Sequence, residues 1–486
     1  MCTASKRIEK DELGERSLPA GALYGLETAR ARDNFALDYR RVNLRLVYAL
    51  VKVKKAAALT FAKLCPGEGE KFSAVVRACD EALAGKADGA FITCALQGGA
   101  GTSTHMNVNE VLANLALVLL GKEPGDYAAV HPLDDINRFQ STNDVYPTAL
   151  RIAAVELLRE VSEACAKLQE ALQKKENDYE GIKKLGRTEL MDAVPVTLGG
   201  EFGAWAQAVA RDRWRLYKVE ERLRQVPLGG AAVGGPGIIA EGAGDTASAA
   251  AEVAAAAVTE AGKKTFRSYR YGVIEELRTI TGIGLAAAEY PMDLTQNCDV
   301  FVEVSGLLKA LAVNLMKIAG DFRLLNSGPR GGLGEIQLAP LQKGSTIMAG
   351  KVNPVIPEMV IQLGIRVCAN DTAITMAASR GELELNAFTP LIADSLLESL
   401  GLLKDGCFLF RTLCVETLVP NAERCAELLD SSLAFAASYV PLLGYAAVSR
   451  IIAEHSGGTG GAERVRKALE HAASCADTGF SAMIDA

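Results

Sequence analysis

Histidine, tryptophan and aromatic residues in general are scarce in this sequence of 486 residues. It has four histidines and two tryptophans, and aromatic residues make up 6% of the chain. None of the histidines, His105, His131, His455 and His471, stands at metal-ligand spacing from another, so no structural zinc site is expected. The low aromatic content, together with abundant alanine and leucine, favours helix over sheet.

The sequence also lacks a paired arrangement of cysteines. Its eleven cysteines are scattered between Cys2 and Cys475 without a CxxC pair, and their number is odd. This usage is typical of free thiols in a reducing compartment. The first ten residues contain no apolar stretch of the kind a signal peptide needs. We therefore expect a cytoplasmic protein.

A strong charge of one sign and long apolar runs are missing as well. The chain has 52 basic and 59 acidic residues, a net charge of −7, without a basic block that would suit a nucleic acid. No run of about 18 apolar residues is present, so no membrane span is expected. A hydrophobic content of 49% and a charged content of 23% are typical of a globular protein. The length predicts more than one domain.

Long helical patterns are what the sequence does have. After Pro147, apolar residues recur at alternating steps of four and three, which predicts a helix that packs against other long helices. This seam consists of Ala154, Leu158, Val161, Cys165, Leu168 and Leu172. Further apolar stretches run from about 298 to 325 and from 356 to 378. Glycine-rich connections separate the three, so a mainly α protein with a central bundle of long helices is predicted.

Four polar clusters interrupt the apolar sequence and are candidates for a binding site. They span residues 101–110, 140–144, 186–192 and 344–358. Each offers short hydroxyl or amide side chains and is expected near the start of a helix. An alternative interpretation of the second cluster is that Ser141, Thr142 or Asp144 only caps its helix.

The last cluster resembles a nucleotide-binding P-loop only superficially. The spacing between its glycines is one residue too long, and Val352 stands where a serine or threonine has to hold magnesium. What remains is a glycine-flanked loop followed by Lys351 and by a helix that is expected to begin near Pro354. Backbone amides and a lysine in this place suit a substrate carboxylate.

Taken together, these clusters resemble the signature blocks of the aspartase/fumarase superfamily of lyases, and within it those of the aspartate ammonia-lyases. The resemblance runs from about residue 7 to about residue 445. The matching blocks are residues 97–114, 131–148, 186–202, 324–330 and 344–354.

The resemblance implies a carbon–nitrogen lyase that requires no cofactor and, by default, converts L-aspartate to fumarate and ammonia by anti-elimination. It implies a homotetramer with a core of central helices and active sites shared by three subunits. It also implies three helical parts, residues 1–141, 142–396 with the signature loop 344–354, and 397–486. Some aspartases are activated by a divalent cation such as Mg²⁺, and the sequence leaves this open.

The resemblance further implies the roles of individual residues. Ser345, on a mobile loop, is the base that removes a proton from carbon, and Thr188 and Glu189 complete the catalytic set. The substrate-binding set is Thr102, Ser141, Thr142, Asn143, Thr346, Lys351 and Asn353. The doubly charged aci-carboxylate of this reaction needs several preorganised donors, which these side chains and loop amides offer. A serine acts as a base only when its oxyanion is desolvated and stabilised.

Glu189 is the main departure from the family pattern, which usually has histidine or glutamine at this position. A carboxylate there repels a dianionic substrate and attracts a cationic group. Either a protonated Glu189 does the work of the glutamine, or the substrate has one carboxylate and a different second group. The elimination of trimethylamine from a betaine such as ergothioneine is an example of the second reading.

Other departures concern the surroundings of the site. Leu133 and Asp135 replace residues that the family links to a secondary anion site, so this site is expected to be lost. His105 replaces an asparagine and is expected to pack behind the site. Ala349 replaces a proline, which predicts a more flexible loop. The segment 240–261 is either an alanine-rich helix or a mobile surface insertion.

Other interpretations remain besides an aspartase. One is the altered-substrate lyase. Fumarase is less favoured, and argininosuccinate or adenylosuccinate cleavage still less, because their signature loops differ. The last is a non-catalytic homologue of the same fold, against which the retained Ser345, Lys351 and Asn353 argue.

Overall fold

The computed structural model describes residues 5–234 and 260–484, with side chains described for 5–234 and 265–475, and most of this part of the chain is helical. The segment 240–261, whose interpretation was open, lies almost entirely outside the described residues. The helices are α1 (Leu26–Asn34), α2 (Leu44–Leu64), α3 (Gly69–Leu83), α4 (Thr102–Leu119), α5 (Thr142–Asp178), α6 (Leu198–Leu223), α7 (Glu260–Thr281), α8 (Pro291–Gln296), α9 (Asp299–Leu325), α10 (Val355–Ala378), α11 (Thr389–Phe410), α12 (Ala422–Ser431), α13 (Val440–Leu443), α14 (Tyr445–His455) and α15 (Gly461–Ile484). The predicted mainly α class is confirmed.

Strands in the described residues occur only as four short pairs. Three of the pairs are antiparallel and one, β5 with β6, is parallel. The strands are β1 (Lys6–Asp11), β2 (Gly14–Pro19), β3 (Lys183–Thr188), β4 (Met191–Thr197), β5 (Gln225–Val226), β6 (Ala286–Ala287), β7 (Ile336–Gln337) and β8 (Val419–Pro420). Because no strand among the described residues is longer than seven residues, helices build the core of this part of the protein.

The three predicted long helices are present as α5, α9 and α10. The six seam residues of α5 are all buried, so the heptad-like pattern correctly predicted the face of this helix that lies in the core. The start of α5 corrects one expectation, because the helix begins at Thr142 and includes Pro147 rather than following it. Pro147 lies in the second turn of the helix, where it removes the N–H that would donate to the carbonyl of Asn143, and Ser141 and Asp144 cap this helix end.

The chain divides into two compact units. The first consists of Met1–Ser162, Trp214–Ala310 and Ile365–Lys404, and the second of Glu163–Arg213, Leu311–Gly364 and Asp405–Ala486. The three parts expected from the sequence remain a prediction. Within the described residues, no helix is long and apolar enough to cross a membrane.

Aromatic side chains pack against one another in the core of each unit. In the first unit, Phe61 stacks on Tyr269, with ring centroids 4.9 Å apart. In the second unit, Phe202 meets Trp205 edge to face at 4.9 Å, and Phe322 packs against Phe410 at 5.3 Å. Such pairs add about 0.5–1.5 kcal/mol each to the burial of their apolar area.

A buried carboxylate, Glu110, holds the start of α1 within the first unit. Its oxygens accept hydrogen bonds of 2.8 Å from the backbone N–H groups of Gly25 and Glu27, and another of 3.2 Å from Thr28. Burial raises the pKa of Glu110 to about 7, although the bonds from Thr28, Gly25 and Glu27 oppose this shift. Glu110 therefore links α4 to the N-terminus of α1, whose dipole favours a negative charge.

Candidate active site

The predicted site residues fall into two sets, one on each unit. Thr102, Ser141, Thr142 and Asn143 belong to the first unit, and Thr188, Glu189, Ser345, Thr346, Lys351 and Asn353 belong to the second. Each set is described on its own unit.

Ser141 and Asp144 form a reciprocal cap at the start of α5. The Ser141 hydroxyl oxygen accepts from the backbone N–H of Asn143 at 3.2 Å, and the Asp144 carboxylate accepts from the backbone N–H of Ser141 at 2.9 Å. This is a variant of the capping box, in which the serine oxygen accepts from the second helical residue instead of the third. Ser141 and Asp144 therefore do cap the helix, and Thr142 and Asn143 follow Ser141 as its first residues.

Asp144 and Asn143 also hold the glycine-rich loop 229–232 against this helix end. The second oxygen of Asp144 accepts from the N–H groups of Gly229 and Ala231, each at 3.0 Å. The amide group of Asn143 donates to the carbonyl of Ala232 at 2.8 Å. Burial raises the pKa of Asp144 to about 7, and these backbone N–H groups act in the opposite direction.

A tight turn positions Thr102 at the first residue of α4. The backbone of Gly99, Ala100 and Gly101 has positive φ angles of 79°, 55° and 93°. A Cβ atom at Gly101 would lie 2.4 Å from the ring of Tyr146, so only glycine fits there. The hydroxyl of Thr102 donates to the carbonyl of Gly99 at 2.7 Å and is exposed in the single chain.

His105 lies one helical turn after Thr102 and touches a second residue of the set. Its Nδ1 atom is 2.8 Å from the hydroxyl oxygen of Thr142, and only 1% of the residue is exposed. Burial lowers the pKa of His105 well below its usual value, and the charge of Lys54 lowers it further. The imidazole is therefore neutral near pH 7, and the side chain is buried, as the expectation of a packed residue requires.

Lys54 is a buried residue that the sequence analysis missed. Its ammonium group donates to the side-chain oxygens of Asn137 and Gln140, each at 2.9 Å, and burial lowers its pKa well below the usual value. The amide oxygens come from the loop directly before Ser141. A signal was present, because Lys54 stands at helical spacing between Leu50 and Phe61 on the buried face of α2.

The expected loss of the secondary anion site concerns the loop around Asp135. This buried carboxylate accepts from the backbone N–H of His131 at 2.8 Å and pairs with Lys71 at 2.9 Å and with Arg138 at 3.3 Å. Asp135 thus engages Lys71 of α3 together with Arg138 and the N–H of His131, which supports the expected loss of an anion site.

Thr188 and Glu189 lie at the tip of a β-hairpin, which corrects the expectation of a helix start in this cluster. Thr188 pairs with Met191, so the turn consists of Glu189 and Leu190, whose φ angles are 54° and 65°. Two left-handed central residues define a type I′ turn, which usually takes asparagine and glycine. The strained backbone holds the Glu189 side chain exposed at the tip.

A buried ion network fixes the base of this hairpin. Glu335, with no exposed surface, pairs with Lys184 at 2.9 Å and with Arg187 at 3.0 Å. Lys184 also pairs with Glu201 at 2.7 Å. Arg187 and Glu335 are 148 positions apart in the sequence, so no local pattern of residues indicates their contact. The network holds Arg187 in place, next to Thr188.

The signature loop closes on itself in front of α10, which begins at Val355 as expected near Pro354. The N–H of Gly344 donates to the carbonyl of Lys351 at 2.8 Å, and the Asn353 amide donates to the carbonyl of Gly344 at 2.8 Å. At the far end, the N–H of Lys351 donates to the carbonyl of Met348 at 3.3 Å, with Gly350 at a φ of 78°. Thr346 and Lys351 are exposed in the single chain.

The Ser345 hydroxyl lies inside this loop and faces its backbone. Its oxygen accepts hydrogen bonds from the N–H groups of Ile347 at 3.2 Å and Met348 at 2.9 Å. Two converging backbone N–H groups are the donors that stabilise a negative oxygen at a reactive centre.

Cofactor or metal ligands do not cluster in the part of the chain that the structure describes. Residues 5–234 and 260–484 contain no group of three histidine, cysteine, aspartate or glutamate side chains that could hold an ion.

Comparisons with known proteins agree with the resemblance of the sequence. A model of the lyase family matches residues 14–369. An aspartate ammonia-lyase of Pseudomonas aeruginosa is 41% identical over 451 residues, which cover 92% of this chain and 90% of that protein.

Solved structures show the same fold. A fumarate lyase:delta crystallin of Brucella melitensis, bound to cobalt, is 43% identical with a TM-score of 0.83 and 92% of each chain covered. A class II fumarase of Schistosoma mansoni is 30% identical with a TM-score of 0.81, and the match covers 93% of this chain and 92% of that one. The chain therefore belongs to the lyase family of the aspartase/fumarase superfamily and is a carbon–nitrogen lyase.

Proposed function

We propose that this enzyme eliminates ammonia from L-aspartate to give fumarate and that Ser345 is the base. The observation that carries the proposal is the pair of backbone N–H groups, from Ile347 and Met348, that point at the Ser345 oxygen. A serine alkoxide forms only where its charge is stabilised, and these donors supply that stabilisation.

The proposed reaction begins when the alkoxide of Ser345 takes a proton from C3 of aspartate. The electrons of the broken C–H bond move into the neighbouring carboxylate and form the aci-carboxylate. They then return to form the C2–C3 double bond as the C2–N bond breaks, and ammonia leaves with that electron pair. Ser345 afterwards releases the proton to solvent.

The other proposed residues bind the substrate and the charge that develops on it. The hydroxyls of Thr102, Ser141 and Thr142 lie at helix N-termini, where an anion is favoured by N–H groups and the helix dipole. In our proposal Asn143, Thr188, Thr346, Lys351 and Asn353 complete the set. Lys351, exposed in the single chain, is free to meet a carboxylate.

We further propose a homotetramer in which three subunits build each site. In the single chain, the long helices leave large apolar side chains exposed, which favours burial against other subunits. Examples are Val313 and Leu324 on α9, Ile365 and Met376 on α10, and Phe408 on α11. Light scattering of the purified protein tests the number of subunits.

Free thiols support the proposal that the enzyme works in the cytoplasm. The ten cysteines within the described residues form no disulfide, although the sulfur atoms of Cys165 and Cys407 lie 3.8 Å apart. Cysteines without disulfide bonds are typical of a reducing compartment.

Glu189 favours a second candidate, a lyase of the same mechanism with an altered substrate. Its carboxylate stands exposed at a turn tip, beside Thr188, and attracts a cationic or N–H-rich group. A betaine with one carboxylate and a trimethylammonium leaving group, such as ergothioneine, has this character.

Replacing Ser345 by alanine tests the proposed base. We expect kcat to fall by about 10²–10⁴-fold, the usual contribution of a general base, while the oligomer stays intact. The matched control is Ser431→Ala, which removes an exposed serine hydroxyl at the end of α12. An unchanged rate in Ser345→Ala would overturn the serine-base assignment and would leave the family membership intact.

A further inference from the structure

His105 is the one histidine within the described residues that contacts a proposed substrate-binding side chain. Its Nδ1 atom lies 2.8 Å from the hydroxyl oxygen of Thr142. His105 is on α4 and Thr142 is the first residue of α5, so this contact joins the starts of two helices that both carry proposed site residues. Nothing in an ordinary hydrophobic core requires an imidazole in this place.

The direction of this hydrogen bond follows from the surroundings of the ring. A neutral imidazole carries its proton on one nitrogen, and that N–H needs an acceptor when it is buried. Nε2 is buried and finds no partner among the described protein atoms, whereas Nδ1 faces the Thr142 oxygen. The proton therefore belongs on Nδ1, where His105 donates to Thr142.

A donating His105 determines what Thr142 can do. A hydroxyl that accepts from Nδ1–H keeps its own hydrogen for another acceptor. Thr142 is only partly buried, and its oxygen is held at the first residue of a helix, where anions are favoured. Its hydrogen is thus available to a negatively charged ligand outside the protein interior.

We propose that His105 is a positioning residue: by donating from Nδ1 to Thr142, it turns the Thr142 hydroxyl into a hydrogen-bond donor to a substrate carboxylate. This inference rests on the proposed function, because it assigns Thr142 to a carboxylate of the substrate. The inference adds that the Thr142 hydroxyl acts as a donor toward the substrate, whereas without His105 it could donate or accept.

Lys54, a second buried residue near His105, agrees with a neutral imidazole that donates to Thr142. Lys54 is fully buried and close enough to affect the ring electrostatically. Burial of the ring disfavours a second proton on the imidazole, and a positive charge on Lys54 acts in the same direction, so the ring stays neutral with a single N–H. Two of the three Lys54 donor positions are engaged by Asn137 and Gln140.

Three substitutions separate the hydrogen bond from the packing of the ring. An asparagine carries a donor in nearly the place of Nδ1, so His105→Asn should keep the bond to Thr142. His105→Gln carries its donor in the place of Nε2, and His105→Leu carries none. We expect kcat/KM for aspartate to fall about 10–100-fold in the last two, the value of a hydrogen bond to a charged group. The asparagine variant should recover most of this loss, and the exposed His471→Asn should change nothing.

A double-mutant cycle with Thr142→Val tests whether His105 acts through Thr142. If it does, His105→Leu should cost little once Thr142 is already valine. A purely structural role predicts the same loss with and without Thr142, and that outcome overturns the inference. So does an equal loss in the asparagine and leucine variants.

Nitrogen-15 spectra of the four histidines test the proton position without any assay. The inference predicts a protonated Nδ1 and an unprotonated Nε2 for His105 near pH 7, and a changed Nδ1 signal in Thr142→Val. A proton on Nε2 overturns the inference whatever the substrate. A protonated Nδ1 in an enzyme that does not act on aspartate would refute the proposed substrate alone, and the positioning of Thr142 would stand.

Discussion

The side-chain oxygen of Ser345 accepts a hydrogen bond of 2.9 Å from the backbone N–H of Met348. With the N–H of Ile347 at 3.2 Å, this donor surrounds the oxygen before any substrate is present. The loop thus holds preorganised dipoles where the proposed mechanism requires a negative oxygen, and it needs no rearrangement of its own backbone to provide them.

Proline substitutions in this loop test the role of the backbone N–H groups that donate to Ser345. Met348→Pro removes the shorter N–H bond to Ser345, and we expect kcat to fall by about 10²–10³-fold, as when one oxyanion donor is lost. The matched control is Ala349→Pro. Residues 348–351 form a turn, which is closed by the hydrogen bond from the N–H of Lys351 to the carbonyl of Met348. Gly350 has a φ of 78°, as the third residue of a type II turn does, and such a turn favours proline at its second position, residue 349.

The control should retain activity, and its loop should be more resistant to proteolysis because proline restricts the unfolded loop. Steady-state kinetics and limited proteolysis of both variants make the comparison. Equal activity in the two variants would show that the Met348 donor does not contribute to catalysis.

Substitution of Glu189 by glutamine distinguishes the two candidate substrates. Removing a negative charge near a dianion should lower KM for L-aspartate several-fold, since a pair of charges 4 Å apart in water is worth about 1 kcal/mol. For a cationic betaine the same change should raise KM. Kinetics with both substrates, alongside the exposed control Glu470→Gln, measure the effect. A complete loss of aspartate turnover would instead give Glu189 a direct role in the chemistry.

Glycine-to-alanine changes at the two ends of α4 test how the turn before Thr102 is held. Gly101 and Gly121 both have positive φ, at 93° and 73°, so each substitution carries backbone strain of about 1–2 kcal/mol. Only at Gly101 would the new Cβ atom collide with a ring, that of Tyr146 at 2.4 Å. We therefore expect Gly101→Ala to be the more destabilising of the two in denaturant unfolding and to raise KM. Equal effects would contradict the assigned role of the Gly101–Tyr146 contact.

The buried Glu110 predicts a pH-dependent difference between the wild type and Glu110→Gln. Its pKa is raised to about 7 in the folded protein, so the folded state binds more protons than the unfolded state between about pH 4.5 and 7. The contribution of Glu110 to stability is thus complete below about pH 4.5 and declines as the pH rises to 7. Glutamine does not titrate, and its NH₂ group faces N–H donors, which costs about 1–3 kcal/mol.

Unfolding measurements of both proteins from pH 4.5 to 8 test this prediction. The destabilisation caused by Glu110→Gln should be largest at the acidic end and should shrink toward pH 7. A difference that grows with pH would mean that the folded protein holds Glu110 ionised throughout this range.

The long helices were predictable from the sequence because their signal is periodic. The seam from Ala154 to Leu172 repeats at the spacing of a buried helix face, and all its members are buried. The hairpin at Glu189 was not predictable in this way. Its type I′ turn contains neither asparagine nor glycine, so the residues that usually announce such a turn are missing.

The candidate site was predictable as a set of residue types but not as a set of contacts. The hydroxyl and amide clusters were visible along the chain, whereas the partner of each side chain depends on packing between distant segments. His105 meets Thr142 across 37 positions, and Arg187 meets Glu335 across 148. A helical or strand period carries no information at such separations.

The most direct test of the account is the ultraviolet absorbance of fumarate during incubation of the purified wild-type enzyme with L-aspartate, with and without Mg²⁺. The account predicts steady formation of fumarate that Ser345→Ala reduces by at least about 10²-fold. The absence of fumarate from a folded, oligomeric wild-type protein would contradict L-aspartate as the substrate and would direct the search to amines and betaines with a single carboxylate.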